Sequence, residues 1–107
     1  MTADVTEPAI RDLVDAINAG DRDGFFAALT PDATMSDDGR ERDLRQWADR
    51  ELFSGPGRME VESATDGGRS LIAENTNDTY GTMRTFWHFT LRDGMISRFE
   101  TGQAGPA

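Results

Sequence analysis

The sequence predicts an α+β fold in which three N-terminal helices pack on the concave side of a cone-shaped, strongly curved antiparallel sheet. Apolar residues in the first half of the chain mostly recur with helical spacing, whereas those in the second half alternate with polar residues as in strands. Helices followed by a strand meander are typical of a sheet covered on one face by helices. The 107 residues are expected to form a single domain, with an ordered core of about residues 6–102.

Three helices are predicted. The first, over 7–19, has apolar residues spaced i, i+3, i+4 and i+7, and Gly20 stands where a left-handed C-terminal residue is wanted. Asp21 is expected to cap a shorter second helix over about 22–29. The third helix is expected over about 41–53, before a run of Ser, Gly and Pro that ends it.

Five strands are predicted. One lies between the second and third helices, at about 33–37. The other four form the meander, as a hairpin over 58–76 followed by strands over 83–91 and 95–101. Residues 102–107 are expected to be a tail.

Composition excludes several classes of function. Eleven basic and twenty acidic side chains give a net charge of −9, which repels phosphate backbones and anionic membranes, so neither nucleic acid nor membrane is an expected partner. The absence of cysteine rules out disulfides and Cys-ligated metals. No apolar run approaches the ~18 residues of a membrane span, and a cytoplasmic location is expected.

Two stretches resemble a known superfamily. They are "INAGDRDGFFAALTPDATMSDDG", which begins at Ile17, and "FWHFTLRDGMISRFETG", which begins at Phe86. From Glu7 to Gly102 the chain is similar to the nuclear transport factor 2-like (NTF2-like) superfamily, which includes the SnoaL-like polyketide cyclases and the ketosteroid isomerases. The resemblance implies the cone-shaped fold. It implies no single activity, because this fold hosts isomerases, cyclases, dehydratases and members that only bind or dimerise.

Two adjacent carboxylates, Asp37 and Asp38, follow the "DAT" segment that enters the first strand. In the isomerases the matching aspartate takes a proton from a carbon beside a carbonyl, so the resemblance implies that Asp37 is a candidate general base. The residues alone leave another interpretation open, in which both carboxylates face solvent or cap the third helix, with Asp38 the preferred cap. The isomerase hydrogen-bond donors are replaced at the matching positions by Leu13 and Trp87, and only Trp87 keeps a donor, its indole N–H. Steroid isomerisation is therefore not expected.

A pocket for a small apolar molecule is predicted inside the cone, with Trp47 and Trp87 as its preferred lining residues. The predicted ligand-binding set is Met35, Trp47, Phe53, Trp87 and Phe89. The alternative is that these side chains fill the cone as an ordinary core. Tyr80, in a polar loop, is a candidate for the rim.

Alternation along the longest strand places Trp87 and Phe89 inside the cone and Phe86 and His88 on the outer face of the sheet. In the superfamily that the chain resembles, a second subunit commonly covers that face. A homodimer through the outer sheet face is therefore expected. His88, the only histidine, is expected to have a structural or interface role, since no metal-ligand spacing surrounds it.

Two functions remain open from the sequence. The first is a binding or dimerisation module with a small apolar-ligand pocket and no catalysis. The alternative is a small acid–base enzyme, similar to an isomerase or a polyketide cyclase, with Asp37 as its general base. Neither function calls for a cofactor or a metal.

Overall fold

The computed structural model describes residues 5–55, 57–77 and 81–104, and Tyr80 lies outside these described residues. The helices are α1 (Pro8–Ala19), α2 (Arg22–Ala27) and α3 (Leu44–Glu51). The strands are β1 (Leu29–Asp37), β2 (Arg40–Arg42), β3 (Gly57–Thr65), β4 (Ser70–Asn77), β5 (Gly81–Arg92) and β6 (Met95–Gln103). A short 3₁₀ turn, Asp66–Gly68, joins β3 to β4.

The strands form one curved, open sheet in the order β2-β1-β6-β5-β4-β3. The predicted α+β class and its arrangement of three helices with a curved sheet are confirmed. The sheet is mixed rather than wholly antiparallel, because β1 pairs with β6 in parallel while the other neighbours are antiparallel. This pairing places the end of β1 beside the end of β6.

The first helix forms where its apolar spacing predicts. Ile10, Leu13 and Ile17 are buried along one side of α1, which contacts α2, β3 and β6. Gly20 ends the helix with a φ of 67°, in the left-handed region that glycine adopts without a Cβ clash.

The second helix is shorter than predicted, and the first strand is longer. Asp21 caps α2 as predicted, by accepting a hydrogen bond from the backbone N–H of Gly24 at 2.9 Å. The helix ends at Ala27, and β1 already begins at Leu29. Pro31 is tolerated in β1 because it lies where the register with β6 shifts, and a ladder hydrogen bond from its nitrogen is not needed there.

The start of the third helix and its cap differ from the prediction. Asp38 and Gly39 have φ values of 51° and 82° and form a tight turn that sends the chain back along β1 as β2. The cap of α3 is Asp43, whose Oδ1 accepts from the backbone N–H of Gln46 at 2.9 Å. The expectation that Asp38 caps this helix is therefore wrong, because the Asp-Gly pair forms a hairpin instead.

The meander of β3 to β6 is confirmed. The last strand reaches Gln103, so residues 102 and 103 belong to the sheet rather than to a tail. None of the helices in the described part of the chain is long and apolar enough to cross a membrane.

Candidate functional site

A cavity of about 250 Å³ lies between α3 and the concave face of the sheet. Its walls come from α3, the end of β1, and strands β4, β5 and β6. Trp47 on α3 and Trp87 on β5 both line it, as predicted for the pocket. Their rings meet edge to face with centroids 6.2 Å apart, so the cavity has an aromatic wall.

The deeper part of the cone is filled by aromatic side chains. Phe99 is fully buried, with its ring centroid 5.7 Å from that of Trp47 and 5.4 Å from that of Trp87. Phe89 stacks on Trp87 at 6.0 Å. Space therefore remains only where the two tryptophans meet the polar side chains of the sheet's open end, as far as the described residues show.

Three predicted ligand-binding residues do not line this cavity within the described chain: Met35, Phe53 and Phe89. Met35 and Phe89 point inward, but each lies two residues deeper than the cavity-lining Asp37 or Trp87 on its strand, and both are core residues. Phe53 packs against Phe25, with ring centroids 5.5 Å apart.

Asp37 lies in the cavity wall. It is the last residue of β1, which is paired with β2 on one side and β6 on the other, so its backbone is held on both sides. The indole N–H of Trp47 donates to Oδ2 of Asp37 at 2.9 Å. The other carboxylate oxygen has no hydrogen-bond partner among the described residues and can accept a donor from a ligand.

Asp38 contributes to the cavity from its exposed rim and has a structural role. Its backbone N–H donates to the carbonyl of Thr101 at 2.9 Å, and its Oδ1 accepts from the backbone N–H of Gln103 at 3.0 Å. Asp38 therefore ties the β1–β2 turn to the end of β6, while Asp37 faces inward.

A chain of polar side chains crosses the opposite wall. The indole N–H of Trp87 donates to Oγ1 of Thr85 at 2.9 Å, and that hydroxyl donates to Oδ1 of Asn75 at 2.6 Å. The Trp87 donor is therefore used inside the protein. Sequence reasoning missed Thr85 and Asn75 as site residues. Their signal was the inward alternation of β5, which carries Thr85, and of β4, which places Asn75 opposite Met83.

The cavity is acidic. Asp37, Asp38 and Glu51 line it, and no Lys or Arg does so within the described residues. Arg50 pairs with Glu51 at 3.3 Å, but no cation pairs with Asp37 or Asp38 among the described residues, so the cavity favours neutral or cationic molecules.

His88 is remote from the cavity. It is exposed on the outer face of the sheet, where its Nδ1 lies 3.0 Å from Oγ of Ser70 and its ring lies beside Phe86. The described residues contain no group of three or more His, Cys, Asp or Glu side chains that could hold a metal ion.

Comparisons with known proteins identify the fold. No protein-family model matches the chain, and no curated protein matches it. Among solved structures, an NTF2-like protein of unknown function from Cytophaga hutchinsonii is 16% identical with a TM-score of 0.75, over 96% of this chain and 93% of that one. The chain therefore has the NTF2-like fold.

Two further similar structures belong to proteins for which an enzymatic activity has been proposed. A proposed polyketide cyclase from Sinorhizobium meliloti is 25% identical with a TM-score of 0.69, over 88% of this chain and 94% of that one. A proposed ketosteroid isomerase from Kribbella flavida is 15% identical with a TM-score of 0.77, over 95% and 79%. The structural similarity confirms the fold that the sequence resemblance implied.

Proposed function

We propose that this chain is a small-molecule-binding domain whose ligand occupies the cavity between Trp47 and Trp87. The observation that carries the proposal is an open cavity in which an aromatic wall faces a carboxylate, Asp37, with one unpartnered oxygen. An aromatic wall binds an apolar body, and a few placed polar groups orient it.

The cavity volume limits the size of the ligand. About 250 Å³ is below the roughly 300–1,000 Å³ of pockets for drug-sized ligands. A buried cavity of about 150 Å³ is enough to bind benzene. The ligand class is therefore a single substituted ring or an acyclic molecule of similar size. The carboxylates of Asp37 and Asp38 further restrict the ligand to neutral or cationic compounds.

Acid–base catalysis by Asp37 is the second candidate. Two observations favour it: Asp37 faces the cavity, and the bond from Trp47 orients its carboxylate. The activities proposed for the two similar structures from Sinorhizobium meliloti and Kribbella flavida are compatible with it. Isomerisation of a steroid is disfavoured because neither position that matches an isomerase hydrogen-bond donor offers a free one. Leu13 is apolar and fully buried, and the Trp87 N–H already donates to Thr85. The cavity also suits one ring rather than four.

Binding can be tested with a panel of one-ring compounds that contains phenols, aryl ketones, aryl amines and aryl carboxylates, using ligand-observed NMR. We expect neutral and cationic members to bind and the carboxylates not to bind. Leu52→Trp, which fills the cavity from the residue that follows α3, should abolish binding, whereas Asp15→Asn on the exposed side of α1 should not change it. Binding that survives Leu52→Trp, or a preference for carboxylates, would contradict the proposed site.

Catalysis can be distinguished from binding by proton exchange. Aryl ketones that bind are incubated in D₂O, and exchange at the carbon beside the carbonyl is followed by NMR. If Asp37 is a general base, Asp37→Asn should slow exchange by about 10²–10⁴-fold while binding remains. Binding without protein-dependent exchange supports the non-catalytic function.

We also propose that the chain forms a homodimer through the outer face of the sheet. Ile72 on β4 and Phe86 on β5 are directly opposite each other on that face and both are half-buried. The contact of α3 with β5, between Trp47 and Trp87, is on the concave face, so it does not cover the outer face, which stays available to a second copy.

A further inference from the structure

We infer that Asn75 selects ligands with a carbonyl-type oxygen, by donating a hydrogen bond from its side-chain nitrogen into the cavity. The inference rests on the proposed binding function of the cavity. The side-chain nitrogen of Asn75 would supply a hydrogen-bond donor that neither Leu13 nor Trp87 provides.

The short hydrogen bond from Thr85 sets the orientation of the Asn75 amide. Thr85 accepts the N–H of Trp87, so its own single proton must go to another acceptor. Oδ1 of Asn75 lies 2.6 Å away, whereas the carbonyl oxygen of Ala73 lies 3.2 Å away. The shorter distance is typical of an O–H···O bond and is below the usual N–H···O range, so the amide oxygen, not the nitrogen, faces Thr85.

The Asn75 nitrogen is consequently turned away from Thr85 and is available to a ligand. It has no hydrogen-bond partner among the described residues. It is also not sealed in the core, because no buried side-chain nitrogen or oxygen of the described chain lacks a partner. Since Asn75 is half-buried on the inner face of β4 and lines the cavity, the cavity is where this donor is exposed.

Asn75 and Asp37 belong to opposite sides of the cavity. Asn75 is on β4 and Asp37 on β1, and the sheet order places β5 and β6 between them. Asp37 is level with Leu71 on β4, so Asn75 lies four residues further along the sheet as well as three strands across it. Their backbones are therefore about 20 Å apart before curvature brings the side chains closer. Both residues line the same cavity, so a ring whose carbonyl is at Asn75 would extend toward Asp37, and a hydroxyl or amine at its far end would point toward that carboxylate.

The test uses two probes of the same length, 4-hydroxyacetophenone and 4-ethylphenol. Both have a phenol O–H, from which Asp37 would accept a hydrogen bond, and only the first has a carbonyl. We expect wild-type protein to prefer the ketone by about tenfold in Kd, the discrimination typical of one unpaired polar group. Asn75→Leu should remove this preference while 4-ethylphenol still binds.

A second measurement needs no variant. The ¹⁵N-labelled side-chain amide of Asn75, identified as the resonance missing from Asn75→Leu, should shift on addition of the ketone and remain nearly still with 4-ethylphenol. Equal affinity for both probes, or a preference that survives Asn75→Leu, overturns the role of Asn75 and leaves the binding site standing. Failure of both probes and of the whole one-ring panel to bind overturns the binding site itself and this inference with it.

Discussion

At the scale of single residues, the two adjacent carboxylates show how neighbours in sequence acquire different roles. Asp37 ends a strand whose alternation points it inward, and Trp47 donates to it across the cavity. Asp38 begins a turn with a positive φ, which directs its side chain to the backbone of Gln103 at the rim. The catalytic hypothesis therefore concerns Asp37 alone.

Thr85 is the residue whose hydroxyl we expect to matter most for stability. In Thr85→Val the buried N–H of Trp87 loses its acceptor, and we expect a loss of about 1–3 kcal/mol in the free energy of unfolding, the usual cost of an unsatisfied buried donor. Urea unfolding measures it. Thr90→Val, the same change at an exposed position of the same strand, is the control and should have little effect. Equal effects of the two changes would refute the importance of this hydrogen bond.

At the scale of elements, Asn18 protects the edge of the sheet. β3 is an edge strand, and at Met59 its backbone is paired by a side chain from α1. The amide nitrogen of Asn18 donates to the carbonyl of Met59 at 2.9 Å, and its oxygen accepts from the Met59 N–H at 2.7 Å. The "NAGD" segment of the superfamily resemblance thus contains a strand contact, a left-handed helix end and a helix cap in four residues.

Removing this contact should destabilise the domain. Asn18→Ala leaves both backbone groups of Met59 without their partner, and we expect a loss of about 1–3 kcal/mol in the free energy of unfolding, measured with urea. Asp12→Ala, on an exposed position of the same helix, is the matched control. An Asn18→Ala variant as stable as this control would show that water replaces the side chain without cost.

The ion pair between β1 and β5 gives a prediction about pH. Arg92 donates to Asp32 at 2.6 Å and, with a bond from Thr30, lowers the pKa of Asp32 from its usual 3.8 to about 2. Because the folded state favours the ionised carboxylate, the stabilisation is present above pH 3.8 and is lost as the pH falls toward 2. Both side chains are mostly exposed, so the effect is small.

Asp32→Asn should therefore be less stable than wild type at neutral pH, and the difference should shrink as acid is added below about pH 4. Urea midpoints measured across this pH range test the prediction. Asp12→Asn, an exposed aspartate of α1, should not reproduce the pattern. A difference that is constant with pH would mean that the Asp32 carboxylate contributes nothing through its charge.

At the scale of the whole molecule, the outer face of the sheet offers only a small apolar area for a dimer interface. Arg84, half-buried on this face, already pairs with Glu62 of the same chain at 2.9 Å. Phe86 packs close to Gly102, where a Cβ would lie 2.7 Å from its ring, so part of its apolar surface is covered within the subunit. The apolar area left for association centres on Ile72 and Phe86.

We expect the protein to sediment at about twice its chain mass of 11.8 kDa at micromolar concentration. Phe86→Glu and Ile72→Lys should each give monomers, because a charge would be buried in the interface without a partner. Met95→Glu, at an exposed apolar residue that begins β6, should remain dimeric. Thermal unfolding checks that each variant is folded, and a wild-type protein that sediments as a monomer refutes the proposal.

Local patterns in the sequence were enough to predict the helix-then-meander order and the inward and outward faces of β5. These properties follow from periodicity along a single element, which a substitution elsewhere does not alter. The inward placement of Trp47 and Trp87 was predictable for the same reason. The β1–β2 turn was also locally encoded in Asp38-Gly39, although its three-residue second strand is too short to show alternation.

Only the tertiary structure decided which inward residues enclose space and which fill it. Met35 and Phe89 share the inner face with Asp37 and Trp87, yet they pack into the core because the strands carry them deeper into the cone. The exposed amide nitrogen of Asn75 likewise depends on the register between β4 and β5, which brings Asn75 within hydrogen-bond distance of Thr85. The side chains that fill a space, and the partners of a buried polar group, come from several elements at once. The periodicity of one element therefore does not specify them.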